Sequence, residues 1–143
     1  MQVSYSDMDG NSIGVDNITQ GIDFVCNVKV WSTENRKLDE IALTTIFPSG
    51  WEIHNDRLDD FEHGNSNSYE YQDIRDTRVM TYFDMNTKAT LNFQFILNAS
   101  YTGDYYLPAT YVEAMYDPEI SARSAGSRTK VSKEDNASSS LAK

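Results

Sequence analysis

Alternation of apolar and polar residues with period two runs through most of this chain. In IDFVCNVKVWS (22–32), Phe24, Cys26, Val28 and Val30 share one face, and Asp23, Asn27 and Lys29 share the other. This is the repeat of a half-buried strand. KATLNFQFILNASY (88–101) repeats it: Leu91, Phe93, Phe95 and Leu97 lie on one side, and Asn92, Gln94 and Asn98 lie opposite with Ile96 among them. Further strands are predicted at 1–6, 40–47, 51–55, 69–74 and 78–85. Between them fall turn residues such as the Asp-Gly of DMDGNS (7–12) and Pro48-Ser49-Gly50. NRKLDEIAL (35–43) reads as a loop running into a strand, and DRLDDFEHGNSNS (56–68) as a polar loop. The stretch 103–116 contains Pro108, which removes a backbone donor and marks an edge strand, bulged or interrupted there. The last strand pieces fall in 120–132. Many short strands, turn signals between them and no helical period predict an all-β fold, an antiparallel β-sandwich.

The chain has 143 residues, enough for one domain with a core of ordinary size. The expected organisation is a sandwich over 1–132, with 1–21 either its first strand or a linker, and a polar, disordered tail over 133–143. Nine Tyr, six Phe and two Trp suit strands better than helices. The net charge of −10 opposes both nucleic-acid binding and a polybasic membrane contact. Cys26 is the single cysteine, which excludes an internal disulfide and a paired-cysteine zinc site, and reads as a small buried hydrophobe. No apolar run reaches the length of a membrane span, and Met1 is followed at once by polar, strand-like sequence. The opening reads as mid-protein, and the chain as a piece of something longer.

Most candidate chemistry fails on spacing. DMDGNS resembles the start of a calcium loop, but its glycine is misplaced and Ile18 stands where the closing glutamate belongs, so an acidic turn is expected. His54 and His63 flank Asp56, Asp59 and Asp60 at a spacing that fits no metal-ligand pattern. FPSGWEI is not a nucleophile elbow, and there is no glycine-rich phosphate loop. Neither catalytic residues nor a cofactor are expected. The charged stretch Asp73, Arg75, Asp76 and Arg78 alternates sign, so two arginines can fork onto carboxylates and pin a strand corner. YLPATYVEAMYDPEISAR (106–123) carries a bulky Met115-Tyr116 pair beside an Asp-Pro break. From the residues alone two roles stay open. Met115 can plug the core while Tyr116 ties down a corner by its hydroxyl, or the pair projects from a strand end towards another domain.

Three stretches, ALTTIFPSGWEIHNDRLDD (42–60), YEYQDIRDTRVMTYFDM (69–85) and LNASYTGDYYLPATYVEAMYDPEISARSAG (97–126), give the chain a family look. Together they resemble the C-terminal macroglobulin-like domain of the bacterial alpha-2-macroglobulins, over roughly residues 20–131. The resemblance implies a sandwich of macroglobulin type, similar to immunoglobulin and fibronectin folds. It also implies a large multidomain parent in the periplasm or cell envelope of a bacterium, with a lipid anchor on the parent left open. Such a parent is a protease trap: bait cleavage rearranges it, and a thioester on a separate domain captures the protease. The Cys-x-Glu-Gln run of the thioester is absent, since Asn-Val-Lys follows Cys26, so this chain does not carry the covalent chemistry. What the resemblance implies instead is a shield. Met115, Tyr116, Asp117 and Pro118 match the stretch that covers the thioester, with Met115 and Tyr116 as the lid. The implied partners are the thioester domain of the same chain and, through the parent, target proteases. Asp73, Arg75, Asp76 and Arg78 are candidates for orienting the contact. Two rival readings remain. One is a carbohydrate-binding or adhesin module using Trp31, Trp51 and tyrosines as a stacking face, which requires an exposed row of aromatics. The other is a metal enzyme built on His54 and His63.

Overall fold

The structure is a computed structural model that describes residues 1–54 and 71–133. The described residues form twelve strands and no helix. They are β1 Gln2–Asp7, β2 Asn17–Thr19, β3 Asp23–Trp31, β4 Leu38–Ile46, β5 Trp51–Ile53, β6 Tyr71–Ile74, β7 Arg78–Met85, β8 Thr90–Ala99, β9 Gly103–Leu107, β10 Tyr111–Ala114, β11 Asp117–Arg123 and β12 Ser127–Ser132. They make a four-stranded sheet in the order β1-β3-β8-β5, a five-stranded sheet β11-β10-β4-β7-β6 and a three-stranded sheet β2-β12-β9.

The alternation read from the sequence decides which face of each sheet is buried. In the β3–β8 pair Phe24, Cys26 and Val28 stand opposite Leu97, Phe95 and Phe93, all six buried. Across the sandwich β4 and β7 turn Ile41, Leu43, Val79 and Phe83 towards them. Phe83 and Phe93, with ring centroids 4.8 Å apart, join the two layers. Trp51 fills the centre of a second aromatic group, edge-on to Phe24 at 4.9 Å and to Tyr5 at 5.9 Å. The five-stranded sheet thus closes over the four-stranded one on a shared apolar core.

Three local features depart from the expected plain antiparallel sandwich. β2 pairs with β12 in parallel, Asn17 to Lys130 and Thr19 to Ser132, within a third sheet. The Ser132 hydroxyl donates to Asn17 Oδ1 at 2.8 Å, and the Thr129 hydroxyl donates to the Val15 carbonyl. Residues 103–116 are interrupted at Pro108 as expected, and the two halves belong to different sheets. β9 pairs with β12, whereas β10 pairs with β4 and β11. The third departure is at Met115-Tyr116, which is a tight turn joining β10 to β11 rather than the end of a strand before a break. Pro118 lies inside β11, the edge strand of its sheet, where a missing donor is tolerated.

The opening turn behaves as an acidic turn. Asp7 Oδ1 accepts from the backbone N–H groups of Asp9 and Asn11 at 2.9 and 2.8 Å, and Oδ2 accepts from the Asn11 amide at 3.1 Å. Those bonds, led by the backbone one from Asn11, lower the Asp7 pKa. The loop over 56–68 and the tail after Lys133 lie outside the described residues.

Candidate interaction site

The β10–β11 hairpin presents the two residues singled out as a lid. Ala114 pairs with Asp117, so the connection between the strands is Met115 and Tyr116 alone. Two-residue hairpins usually need φ > 0 in the loop, to match the twist of the strands. Neither Met115 nor Tyr116 has positive φ. The register shifts after Glu113, where pairing jumps from Glu113–Ser121 to Ala114–Asp117. The extra residues on β11 form a bulge, a feature that increases local twist and bends the strand.

The tip is braced from the β3–β4 side. The Met115 N–H donates to the Glu40 carbonyl at 2.9 Å. Glu40 sits at an irregularity of β4 with φ +56°, and its own N–H donates to Asp84 Oδ1 at 3.0 Å. Arg36 Nη2 meets Asp117 Oδ2 at 2.6 Å, on the far side of the turn. Lower on the hairpin the Tyr111 hydroxyl donates to Glu113 Oε2 at 2.9 Å, and Arg123 lies 5.5 Å from the Tyr111 ring centroid. That bond to Glu113 raises the Tyr111 pKa. On this braced tip Tyr116 is 83% exposed and Met115 42% exposed. Met115 therefore does not plug the core. The corner role belongs to Tyr105, whose hydroxyl donates to the Tyr101 and Thr102 carbonyls at 3.0 Å each. The Tyr105 ring lies so close over Gly50 that a Cβ there would come within 2.3 Å of it. The sequence reading passed over Tyr105, whose only local signal is a tyrosine two residues after Gly103; its place over Gly50 depends on a turn more than fifty residues away.

The charged corner is elsewhere. It joins β6 to β7, with the Arg75 N–H donating to the Arg78 carbonyl at 2.7 Å. Arg75 Nε donates to Asp73 Oδ2 at 3.2 Å, an exposed single contact rather than a fork. Such a pair stabilises by about 0–1 kcal/mol. Asp76 and Arg78 enter no ion pair among the described residues. The hairpin tip lies by Ile41 and the corner by Ile46 of β4. Five residues of strand separate them by about 17 Å along the sheet. The structure holds the two groups of candidate residues at opposite ends of one sheet.

The other candidates separate too. Trp51 is 1% exposed, so it is a core residue and takes no part in a stacking face. Among the described residues the exposed aromatics Trp31, Tyr101, Tyr106 and Tyr116 sit on different elements and form no row on one strand or one sheet face. His54 Nε2 lies 3.2 Å from Asp23 Oδ1, which also accepts from the Asn98 amide. His63, Asp56, Asp59 and Asp60 lie outside the described residues. Among the described residues there is no group of three or more His, Cys, Asp or Glu placed to hold a metal.

Cys26 is fully buried, and burial raises its thiol from 9.0 to about 12. At pH 8 the folded chain therefore keeps it neutral, and the thiol is the unreactive form. Iodoacetamide at pH 8 should leave Cys26 unmodified in the native protein and alkylate it fully in denaturant, as read by mass spectrometry. A folded-state value above the unfolded one also means that stability is intact below pH 9 and falls as the pH rises towards 12.

Comparison with known proteins decides the family. The family model described as "Bacterial Alpha-2-macroglobulin MG10 domain" matches residues 1–119. The chain belongs to this family. The match begins at residue 1, and so takes in the opening segment, whose β1 is hydrogen-bonded along β3. Alpha-2-macroglobulin of Pasteurella multocida is 29% identical over 124 residues, covering 85% of this chain and 6% of the relative. Native Escherichia coli alpha-2-macroglobulin superposes with a TM-score of 0.82 at 19% identity, over 92% of this chain and 9% of that one. Salmonella alpha-2-macroglobulin reacted with methylamine superposes with a TM-score of 0.79 at 20% identity, again over 92% and 9%. This MG10 domain thus spans less than a tenth of the length of each of these proteins, and its sandwich is that of the macroglobulin domains.

Proposed function

We propose that this MG10 domain works inside a larger bacterial alpha-2-macroglobulin, as the C-terminal domain that docks on the thioester domain. Met115 and Tyr116 then cover the thioester until a protease cuts the bait region. The domain is a shield and contributes no catalytic group. The parent acts in the periplasm or cell envelope and inhibits proteases by trapping them.

One observation carries this reading. A two-residue turn holds a Met and a Tyr, 42% and 83% exposed, on a backbone braced by Glu40 and by the Arg36–Asp117 pair. A backbone held by hydrogen bonding before docking has less conformational entropy to lose, so more of the gain from burying the tip is retained. Burying a fully exposed Met-sized side chain contributes about 1.5–3 kcal/mol, and docking gains the part of this that Met115, 42% exposed, has left to bury. A Tyr ring adds a broad apolar cover with a hydroxyl to fix its position. A thioester is lost when water reaches its carbonyl, and excluding water is what such a cover does. The Salmonella relative that was reacted with methylamine supports an amine-reactive bond in proteins of this kind. The Asp73–Arg75 corner orients the contact only as a second footing, for a partner that lies along the whole sheet.

The test is a photo-crosslink in the full-length parent. Benzoylphenylalanine in place of Tyr116 should give an intramolecular adduct on the thioester domain. An adduct confined to other domains, or none, sinks the docking reading.

A further inference from the structure

The two flanks of the Met115-Tyr116 turn are held by one short stretch outside the hairpin, Arg36 to Glu40, where the β3–β4 connection enters β4. That stretch is itself fixed. Leu38 is buried opposite Met85, and the Glu40 N–H donates to Asp84 Oδ1 of β7 at 3.0 Å. On the β10 flank the Met115 N–H donates to the Glu40 carbonyl at 2.9 Å. On the β11 flank Arg36 Nη2 donates to Asp117 Oδ2 at 2.6 Å, a short charge-assisted bond between residues 81 apart in sequence. The two holds differ in kind. The first is backbone to backbone and is open to any side chain at 40 or 115, whereas the second depends on the identity of two side chains. Among the described residues it is the one side-chain hydrogen bond made by residues 115–117. The β11 flank also has little else. Pro118, Glu119 and Ile120 have no register partner on β10, and Pro118 has no N–H to donate.

We infer that Arg36 is a positioning residue for the proposed shield: through Asp117 it holds the turn, and with it Tyr116, in the place the thioester contact needs. The inference rests on the docking reading above and adds to it a residue on another element, which acts on the lid and not on the partner. The side chains of the pair are 58% and 36% exposed, so the bond adds little to the stability of the domain. Its effect is on geometry. The guanidinium is always charged and offers a rigid planar fork of donors, so it fixes the direction of a carboxylate where lysine supplies only a point charge. A displacement of about 1 Å at a group that must meet a reacting centre is enough to change a rate strongly, even when its origin lies away from the chemistry. Exposure also makes the hold sensitive to salt, because screening weakens an exposed pair far more than a buried contact.

The test is a charge swap in the full-length parent, read as thioester lifetime in methylamine with the unfolding midpoint followed in parallel. Arg36→Asp and Asp117→Arg should each shorten the lifetime, by up to about fivefold, at an unchanged midpoint. The two together should restore most of it. Arg36→Gln removes the bond without creating repulsion and serves where a reversed charge disturbs folding. It should shorten the lifetime about two- to threefold at low salt, and the difference should vanish in about 1 M salt. A swap as short-lived as the single variants overturns the inference, since Arg36 would then act on something other than Asp117. Arg36→Gln with the lifetime of the unaltered parent at low salt also overturns it. Tyr116→Ala in the same assay separates the two readings. If it shortens the lifetime while the Arg36 variants do not, the docking reading stands without Arg36, and if it changes nothing, the docking reading falls as well.

Discussion

Trp51→Ala should destabilise this domain by about 3–5 kcal/mol. The indole is 1% exposed and touches aromatic rings from several elements. It meets Phe24 of β3 edge-on, Tyr5 of β1 at 5.9 Å and Phe47 at 6.1 Å. It stands on β5, a three-residue edge strand held by pairing to β8, so truncation removes the side chain that pins that edge to the core. The lost contacts and the cavity left among stiff rings add together, because neither β3 nor β8 can collapse into the space. One effect works in the opposite direction: Trp51 Nε1 is buried with no acceptor among the described residues. Trp51→Phe keeps a ring, removes that unpaired donor, and should cost less than about 1.5 kcal/mol. Total stability of a domain is only about 5–15 kcal/mol, so the alanine variant is close to the edge of folding. Urea unfolding followed by circular dichroism measures both, through the shift of the midpoint at unchanged slope. A Trp51→Ala loss below that of Trp51→Phe would show that the aromatic group is not what holds this edge.

The long strands were legible because one period and one buried face decided them. The expected strand 78–85 is β7, and the alternation assigned to 22–32 and 88–101 is the burial pattern of β3 and β8. The interruption at Pro108 followed from the missing donor. What stayed hidden depends on partners far away in the chain. β2 is three residues long and gains its place from β12, more than a hundred residues on, which no local pattern announces. Val25 and Ile96 are buried on the outward face of their sheet because they stand opposite each other across β3 and β8, although the sequence puts them among polar neighbours. The bulge at Glu40 uses positive φ without a glycine, and the Met115-Tyr116 turn forms without Gly, Asn or any residue at positive φ, so neither carries a turn signal. The charged corner was legible as a corner, but not as a place remote from the tip.

The second large effect is on the proposed shield. Tyr116 is 83% exposed in this domain, so removing its ring leaves the fold intact. In the parent that ring is proposed to lie over the thioester, and a central aromatic anchor of a contact carries about 2 kcal/mol or more. At 1.36 kcal/mol per factor of ten in rate, its loss corresponds to at least about thirtyfold faster hydrolysis. Met115→Ala should have a smaller effect, since Met115 is only 42% exposed before docking and its flexible chain is more easily replaced by its neighbours. The measurement that bears most directly on the account is the thioester lifetime of full-length Tyr116→Ala against the unaltered parent, in water and in methylamine. Unfolding of both is followed in parallel. The account predicts a lifetime shortened by about thirtyfold or more with an unchanged unfolding midpoint. A lifetime equal to that of the unaltered parent in both media would contradict it.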